Sequence, residues 1–444
     1  LVFFMVFFAR QWSAFKHGEP DHRRRYPNGQ CNGLGPNGLG QGKRPDLYSV
    51  RRHPASRAVL LLLLAGLTCC RSSTFFWETE DLAPGVYHHS VTLAEGPWAI
   101  HVLEVDLPTA WRAGIRLRTA RAEPTAVEGL ELTSAMATRV NAIAGVNGDM
   151  YTDGHPAQTL GLQISRGGLL ARPQRKSAFT ITADGKPMVA VFRFEAALMT
   201  ASGKLLPIAA FNREPGADEL TYYNRYGQAG RDSVRAAIGF QLQSLGKHSV
   251  INDTLVARVL QVRRRSWPLK LAEGQWLVAA GAEFPDARAI AAGDTVRLIC
   301  SIPPSRGRLE EAIGGGPRII RDGRVSIEFE EEGLASSLER NPRTAVGYTQ
   351  DEKTLFLVTV DGRQPGYSVG MSLLELADLM SHKLADFTRA HRNAYQALNL
   401  DGGGSSTMVV RRDVVNRPSE PTGERQVANS LLLVAVPEEV RGSL

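Results

Sequence analysis

Asn399-Leu400-Asp401-Gly402-Gly403-Gly404-Ser405-Ser406-Thr407-Met408 joins a helix-like segment to the apolar pair Val409-Val410. Three successive glycines allow a sharp turn and leave room for a close neighbour. Asp401 contributes a carboxylate, Ser405, Ser406 and Thr407 contribute hydroxyls, and unhindered N–H groups of such a loop can cradle an anionic oxygen. A hairpin turn with a polar tip would use the same residues. The neighbouring stretches decide between the two readings.

Several of those stretches end a strand on polar residues. Ala142-Ile143-Ala144-Gly145-Val146 reads as a buried strand that delivers Asn147-Gly148-Asp149-Met150-Tyr151. A simple Asn-Gly turn accounts for part of this, but an Asp at the end of a buried strand is costly unless it is used. Ala312-Ile313-Gly314-Gly315-Gly316-Pro317-Arg318 joins a glycine turn to a cation. Arg340-Asn341-Pro342-Arg343-Thr344 precedes the strand Ala345 to Tyr348, and the apolar run Thr354 to Val360 ends in Asp361-Gly362-Arg363-Gln364. Leu373, Leu376, Ala377, Met380, Leu384 and Phe387 recur at helical spacing, which predicts a helix from Leu373 to about Phe387. Ser372 and Glu375 form its capping box, a structural task that competes with a catalytic one for Glu375.

The remaining chain reads as mostly strands. Trp98 to Leu107 and Ile115 to Ala120 are strand candidates, and Leu132 to Asn141 is a short helix with Thr133 placed to cap it. Hairpins are expected over Gly161 to Arg172 and, around Asp184-Gly185, over Ala178 to Phe194. Residues 195–310 are β-rich, with Arg263-Arg264-Arg265 as a solvated strand edge. The cluster Tyr222-Tyr223-Asn224-Arg225-Tyr226 either lines a carbohydrate groove or packs under a loop.

Composition narrows the function. The 444 residues carry a net charge of +7. Residues 1–71 hold 11 Lys+Arg and 3 Asp+Glu, whereas the remainder holds 41 and 42. The body is therefore nearly neutral and has no basic footprint for nucleic acid. Arg51-Arg52-His53 and Arg57 precede the short apolar run Ala58 to Leu67, which ends at Thr68-Cys69-Cys70, the pattern of an export signal over 50–71. Cys69 or Cys70 would be the residue lipidated if the signal is of the lipoprotein type, and that anchor is the expected membrane contact. Residues 1–49 read as translated upstream sequence, with Val50 as the natural start, and 72–95 as a tether leading into a first strand. Cys300 would then stand alone, leaving no internal disulfide. No Cys/His metal spacing and no nucleotide P-loop occur, so no cofactor is called for, although the aspartates could hold a Mg or Ca ion.

Taken in order, the blocks Val146-Asn147-Gly148-Asp149, Ile313 to Pro317, Arg340 to Thr344, Val360 to Gln364, Gly370-Met371-Ser372-Leu373-Leu374-Glu375-Leu376-Ala377 and Asn399 to Thr407 resemble the phosphodiester glycosidase family. The resemblance spans roughly residues 98–436. It implies an α+β fold of mixed, largely antiparallel sheets with a few helices, over 96–438. It also implies hydrolysis of a sugar-1-phosphodiester at the anomeric carbon, with the polar blocks meeting in one cleft. Such chemistry usually needs carboxylates. Asp401, then Asp361 and Asp149, and lastly Glu375, are the catalytic candidates. Asn147, Gly315, Gly316, Arg318, Arg343, Thr344, Arg363, Gln364, Asn399, Gly402, Gly403, Gly404, Ser405 and Ser406 are the candidates for substrate and phosphate binding.

The chain lacks the Cys-rich segment and the C-terminal span of the animal members. An envelope or extracellular glycan is therefore the expected substrate of an exported enzyme. Two other classes use the same residues. One is a non-catalytic module binding glycan or phosphate. The other is a serine hydrolase on Ser405 or Ser406, although neither lies in Gly-x-Ser-x-Gly.

Overall fold

The apolar run Thr354–Val360 is buried at every residue, and its two faces meet different cores. Leu355 and Leu357 join Leu103, Val146, Leu398, Leu400 and Leu431 on one side. Phe356, Val358 and Val360 pack against Leu376, Met380 and Leu384 on the other. A strand covered on both faces reads as a continuous apolar stretch, which is why no alternation is visible in it.

The computed structural model describes residues 75–437 apart from 124–128, 155–156, 229–232, 247–250, 269–270, 287–288 and 333–337. The expected upstream extension 1–49, the export signal 50–71 and its Cys69 and Cys70 lie outside the described residues. Thr354–Val360 sits inside an eight-stranded sheet, in the order Phe75–Ala83, Val86–Leu93, Trp98–Asp106, Thr354–Val360, Arg343–Tyr348, Gln396–Asn399, Arg318–Arg321 and Arg324–Val325. Residues 75–93, expected as a tether, are instead its first hairpin, with Phe75 opposite Leu93. Its outer strand is exposed along most of its length, so it lacks the buried apolar alternation that identifies strands in sequence.

A five-stranded sheet packs against one face of the first, in the order Asp413–Val414, Met408–Val410, Ala142–Asn147, Asn429–Ala435 and Ile115–Arg121. A second five-stranded sheet contains the hairpins Gln163–Ser165/Gly168–Ala171 and Ser177–Thr182/Pro187–Val191, joined through Leu309–Gly314. The tight turn of the first hairpin places Arg166 and Gly167 both at positive φ, 51° and 74°. Within residues 195–301 the strands form another eight-stranded sheet, around the long pair Ser233–Ser244 and Asp253–Pro268. Among the described residues every strand pairing is antiparallel except Ala210–Phe211 with Leu220–Tyr223. The fold is α+β, with mixed, largely antiparallel sheets.

Two local expectations change. Thr133 does not cap the short helix Thr133–Arg139. It is the first helical residue, and its buried hydroxyl pairs with Ser430, while Glu424 takes the Ser134 N–H and hydroxyl from across the fold. The predicted helix from Leu373 is α-helical only over Leu373–Asp378. It continues through a wider π-type turn, Leu379–Lys383, and a tight turn, Leu384–Asp386. Its capping box between Ser372 and Glu375 is formed.

Candidate active site

Strand direction brings the polar blocks together. Thr354–Val360 and Gln396–Asn399 both run antiparallel to Arg343–Tyr348, so both deliver their C-terminal loops to the edge where Arg343 enters. The segment Asn399–Met408 then crosses from that sheet to the five-stranded one, where Met408 pairs with Val146. The glycine-rich loop is thus a bridge between two sheets rather than the tip of a hairpin.

Asn147 fastens the bridge. Its Nδ2 donates to the Asp401 carbonyl at 2.7 Å, while its Oδ1 accepts from the Thr344 hydroxyl at 2.8 Å and from Thr407 N–H at 3.1 Å. Asp401 N–H in turn donates to Gly148 O at 2.9 Å. One buried amide therefore ties three polar blocks that are far apart in sequence.

Asp149 and Asp401 form the electrostatic centre. Asp149 is completely buried, and burial pushes its pKa up to about 7; the Asp401 charge adds to the rise, while the Gly161 N–H and Lys176 partly oppose it. Neither Asp149 oxygen completes a hydrogen bond of good geometry. Space for the carboxylate comes from two glycines, since a Cβ on Gly314 would lie 2.4 Å from Asp149 Oδ2 and one on Gly161 2.8 Å from it. Asp401 is half-buried. Desolvation raises it to about 6, against the Ser405 hydroxyl, the Arg425 charge and Gly402 N–H, which favour its ionised form. Ser405 Oγ falls short of a well-formed hydrogen bond, yet it lies close enough to favour the ionised forms of both Asp401 and Tyr151.

Buried polar atoms without partners gather around these carboxylates. Ser406 Oγ, Thr407 Oγ1, Asn399 Oδ1 and Asn429 Nδ2 join the two Asp149 oxygens, all within the blocks that Asn147 and Asn429 hold together. Folded proteins satisfy most such atoms, so a local concentration calls for partners beyond the chain itself, water or a bound molecule.

The other candidates divide. Arg363 lies over Gly403, where a Cβ would come within 3.2 Å of its Nη2, and it donates to Asn341 Oδ1. Arg343 passes beneath Gly402 and donates to the Met371 and Glu339 carbonyls; desolvation, with the Arg363 charge, lowers it to about 10. Asp361 accepts from Asn416, Tyr367 and Arg417 N–H, so its carboxylate braces the loop that carries Arg363. Gln364 donates to the Arg417 carbonyl and serves the same loop. Gly315, Gly316 and Asn399 form a backbone junction, with Gly316 N–H on Asn399 O and Asn399 Nδ2 on Gly316 O.

Arg318, expected to meet phosphate, instead turns into the interior and donates to Val189 O, with its own N–H on Glu332. Glu375 is held by Ser372 and by Arg340 at 2.5 Å. Burial alone would raise its pKa, but these donors prevail and keep it below the usual range. Neither Ser405 nor Ser406 is hydrogen-bonded to a histidine among the described residues.

Sequence reasoning did not single out Tyr151, Lys176, Arg425 and Asn429 as site residues. Asn429 supports the site directly by accepting Asp149 N–H at 2.8 Å. Arg425 pairs with Glu420, and both press on Gly404. No group of three or more metal-ligating side chains occurs among the described residues.

These features define an α+β scaffold with two coupled, desolvated carboxylates beside a glycine-rich bridge. Residues 269–434 match the model of the phosphodiester glycosidase family, so the resemblance carried by the later sequence blocks is shown there. The fold is similar to that of a hypothetical protein from Synechocystis, at 19% identity and a TM-score of 0.60, over 81% of this chain and 64% of that one. This chain thus spans less than two thirds of that relative. It is also similar to a candidate exported protein from Burkholderia pseudomallei, at 20% identity and a TM-score of 0.57, covering 82% and 97% of the two chains. The catalytic domain of zebrafish N-acetylglucosamine-1-phosphodiester alpha-N-acetylglucosaminidase, auto-inhibited by its pro-peptide, aligns over 82% of this chain and 84% of that one, at 16% identity and a TM-score of 0.41. No curated protein matches the chain.

Proposed function

We propose that the chain is an exported glycosidase that hydrolyses a sugar-1-phosphodiester, such as one of N-acetylglucosamine, on an envelope or extracellular glycan. The observation that carries this reading is the pair of desolvated carboxylates, Asp149 raised to about 7 and Asp401 to about 6, amid unpartnered polar atoms. The family match over residues 269–434 supports the reaction class. The candidate exported protein from Burkholderia pseudomallei and the signal-like residues 50–71 support export, with a lipid anchor at Cys69 or Cys70 as one form of it.

In this mechanism Asp401, the more accessible of the pair, faces the anomeric carbon. The carbon–oxygen bond to phosphate breaks and its electron pair leaves on the phosphate oxygen. A water oxygen, directly or after a covalent step on Asp401, completes the new bond to the sugar, and its proton passes to the carboxylate site. Asp149 stays buried beneath and is protonated through much of the neutral range, which limits the charge that two adjacent carboxylates must carry. Arg363 and the Gly402 to Gly404 N–H groups receive the phosphate, a good leaving group that asks little of a general acid.

Phosphorus NMR of residues 72–444 with an N-acetylglucosamine-1-phosphodiester tests the proposal. Conversion of diester to monoester by the wild type and not by Asp401→Asn is expected; binding without conversion would favour a binding module.

A further inference from the structure

A cavity of about 330 Å³ opens at the seam between the five-stranded sheets and the sheet of residues 195–301. It borders the candidate active site: Thr159, on its wall, bridges to Tyr151, and Ala428, also on its wall, precedes Asn429. Its chemistry is nevertheless its own. Arg121, Arg172 and Arg213 line it, and no Asp or Glu does among the described residues. Arg213 is already matched by Glu219 at 2.8 Å. Arg121 and Arg172 are half-buried and make no side-chain hydrogen bond or ion pair among the described residues.

Gln163 adds an independent sign. It lies on the cavity wall, is 2% exposed, and its Nε2 has no hydrogen-bond partner among the described residues. Half-buried guanidiniums that no carboxylate contacts among the described residues are unfavourable, Arg172 sensing Glu219 only through space, and an oxyanion in the cavity relieves that penalty. Tyr226 presents an aromatic ring on the same wall, the kind of surface on which a sugar face can pack. Tyr222 and Tyr223, the other members of that sequence cluster, are buried in the sheet instead.

We infer that the cavity lined by Arg121, Arg172 and Gln163 is an oxyanion site, separate from the Asp149–Asp401 pair, that takes a phosphate-type group. That group is either free or carried on a saccharide resting against Tyr226. The site does not depend on hydrolysis, so its test stands apart from the proposed activity.

The experiment is calorimetric titration of residues 72–444 with inorganic phosphate and, separately, with glucose 1-phosphate. Both ligands are also titrated into Arg121→Gln, Arg172→Gln, Gln163→Leu, Arg363→Gln and Asp401→Asn, each first checked for a native melting transition. Saturable phosphate binding is expected, weakened about tenfold or more in the two cavity arginine variants, as loss of a charge-assisted contact implies. Gln163→Leu weakens it less, while Arg363→Gln and Asp401→Asn, which alter only the Asp149–Asp401 site, retain this cavity component. Tighter binding of glucose 1-phosphate identifies a glycan-borne group, and equal binding identifies free oxyanion. The inference is overturned if phosphate does not bind, if Arg121→Gln and Arg172→Gln bind it as the wild type does, or if Arg363→Gln alone abolishes binding.

Discussion

The Asn147 side chain donates to the Asp401 carbonyl at 2.7 Å, so the residue before the first glycine block holds the backbone of the last one. The amide is buried and also satisfies Thr344 and Thr407. Asn147→Ala removes all three hydrogen bonds and leaves their partners unpaired. A loss of about 2 to 4 kcal/mol in urea unfolding is expected, together with a fall in kcat for the diester. Asn147→Asp, which keeps the acceptor but loses the donor to Asp401 O, is expected to be similarly harmful above pH 7.

Asp149 sets a stability penalty at the site. Its folded pKa of about 7 lies above the usual 3.8, so the folded state favours the proton. That contribution is complete below pH 4 and is lost as pH rises through about 7. Asp149→Asn removes the buried charge. Its stability relative to wild type, read from the melting temperature, is therefore expected to rise from pH 5 to pH 8 by about 2.5 kcal/mol at most, while activity falls. A relative melting temperature that stays flat between those pH values would contradict the burial argument.

Gly314 and Gly161 test whether the carboxylate pocket is shaped by missing side chains. A methyl on Gly314 would press on Asp149 Oδ2 and on the Gly161 backbone at 2.4 and 2.6 Å. Gly314→Ala is expected to lose most activity and to be destabilised by about 1 to 3 kcal/mol, as overpacking generally costs. Gly246→Ala, where a Cβ meets nothing within 4 Å among the described residues, serves as the silent control in the same denaturation series.

His88 and His101 are stacked, with Nε2 of the first 3.2 Å from Nδ1 of the second. Burial, the larger cause for both, lowers them to about 4 and 3 from the usual 6.5. The unfolded chain takes up these protons first, so the neutral pair's stabilisation is complete above pH 6.5 and is lost as pH falls through about 4. Urea midpoints of wild type and His101→Gln are expected to converge between those values. A gap that widens on acidification would contradict the assignment of a neutral pair.

The elements easiest to read were those whose pattern has one physical cause. Thr354–Val360, buried on both faces, and the Ser372–Glu375 capping box both form as expected. The hairpin of residues 75–93 is not legible in the sequence because its outer strand is exposed along most of its length and alternates no buried face. At the site, Asp401, Asp149 and Asn147 stood out as polar residues at the ends of apolar strands, where polarity is costly unless used. Arg318 misled because a cation after a glycine turn looks the same whether it meets a ligand or, as here, Val189 O. Arg425 and Asn429 gave little signal: one sits in a polar loop without periodicity, and the other looks like an ordinary strand start. Their placement depends on pairings such as Asn429 with Arg121, which span about the whole domain in sequence.

Oxygen-18 water distinguishes cleavage at the anomeric carbon by the Asp149–Asp401 pair from attack at phosphorus. The diester is hydrolysed in labelled water and the released phosphomonoester is examined by its phosphorus isotope shift. Unlabelled phosphate is expected, because the new oxygen joins the sugar, with turnover abolished in Asp401→Asn. Label in the phosphate would show attack at phosphorus and rule out glycosidic cleavage at Asp149 and Asp401.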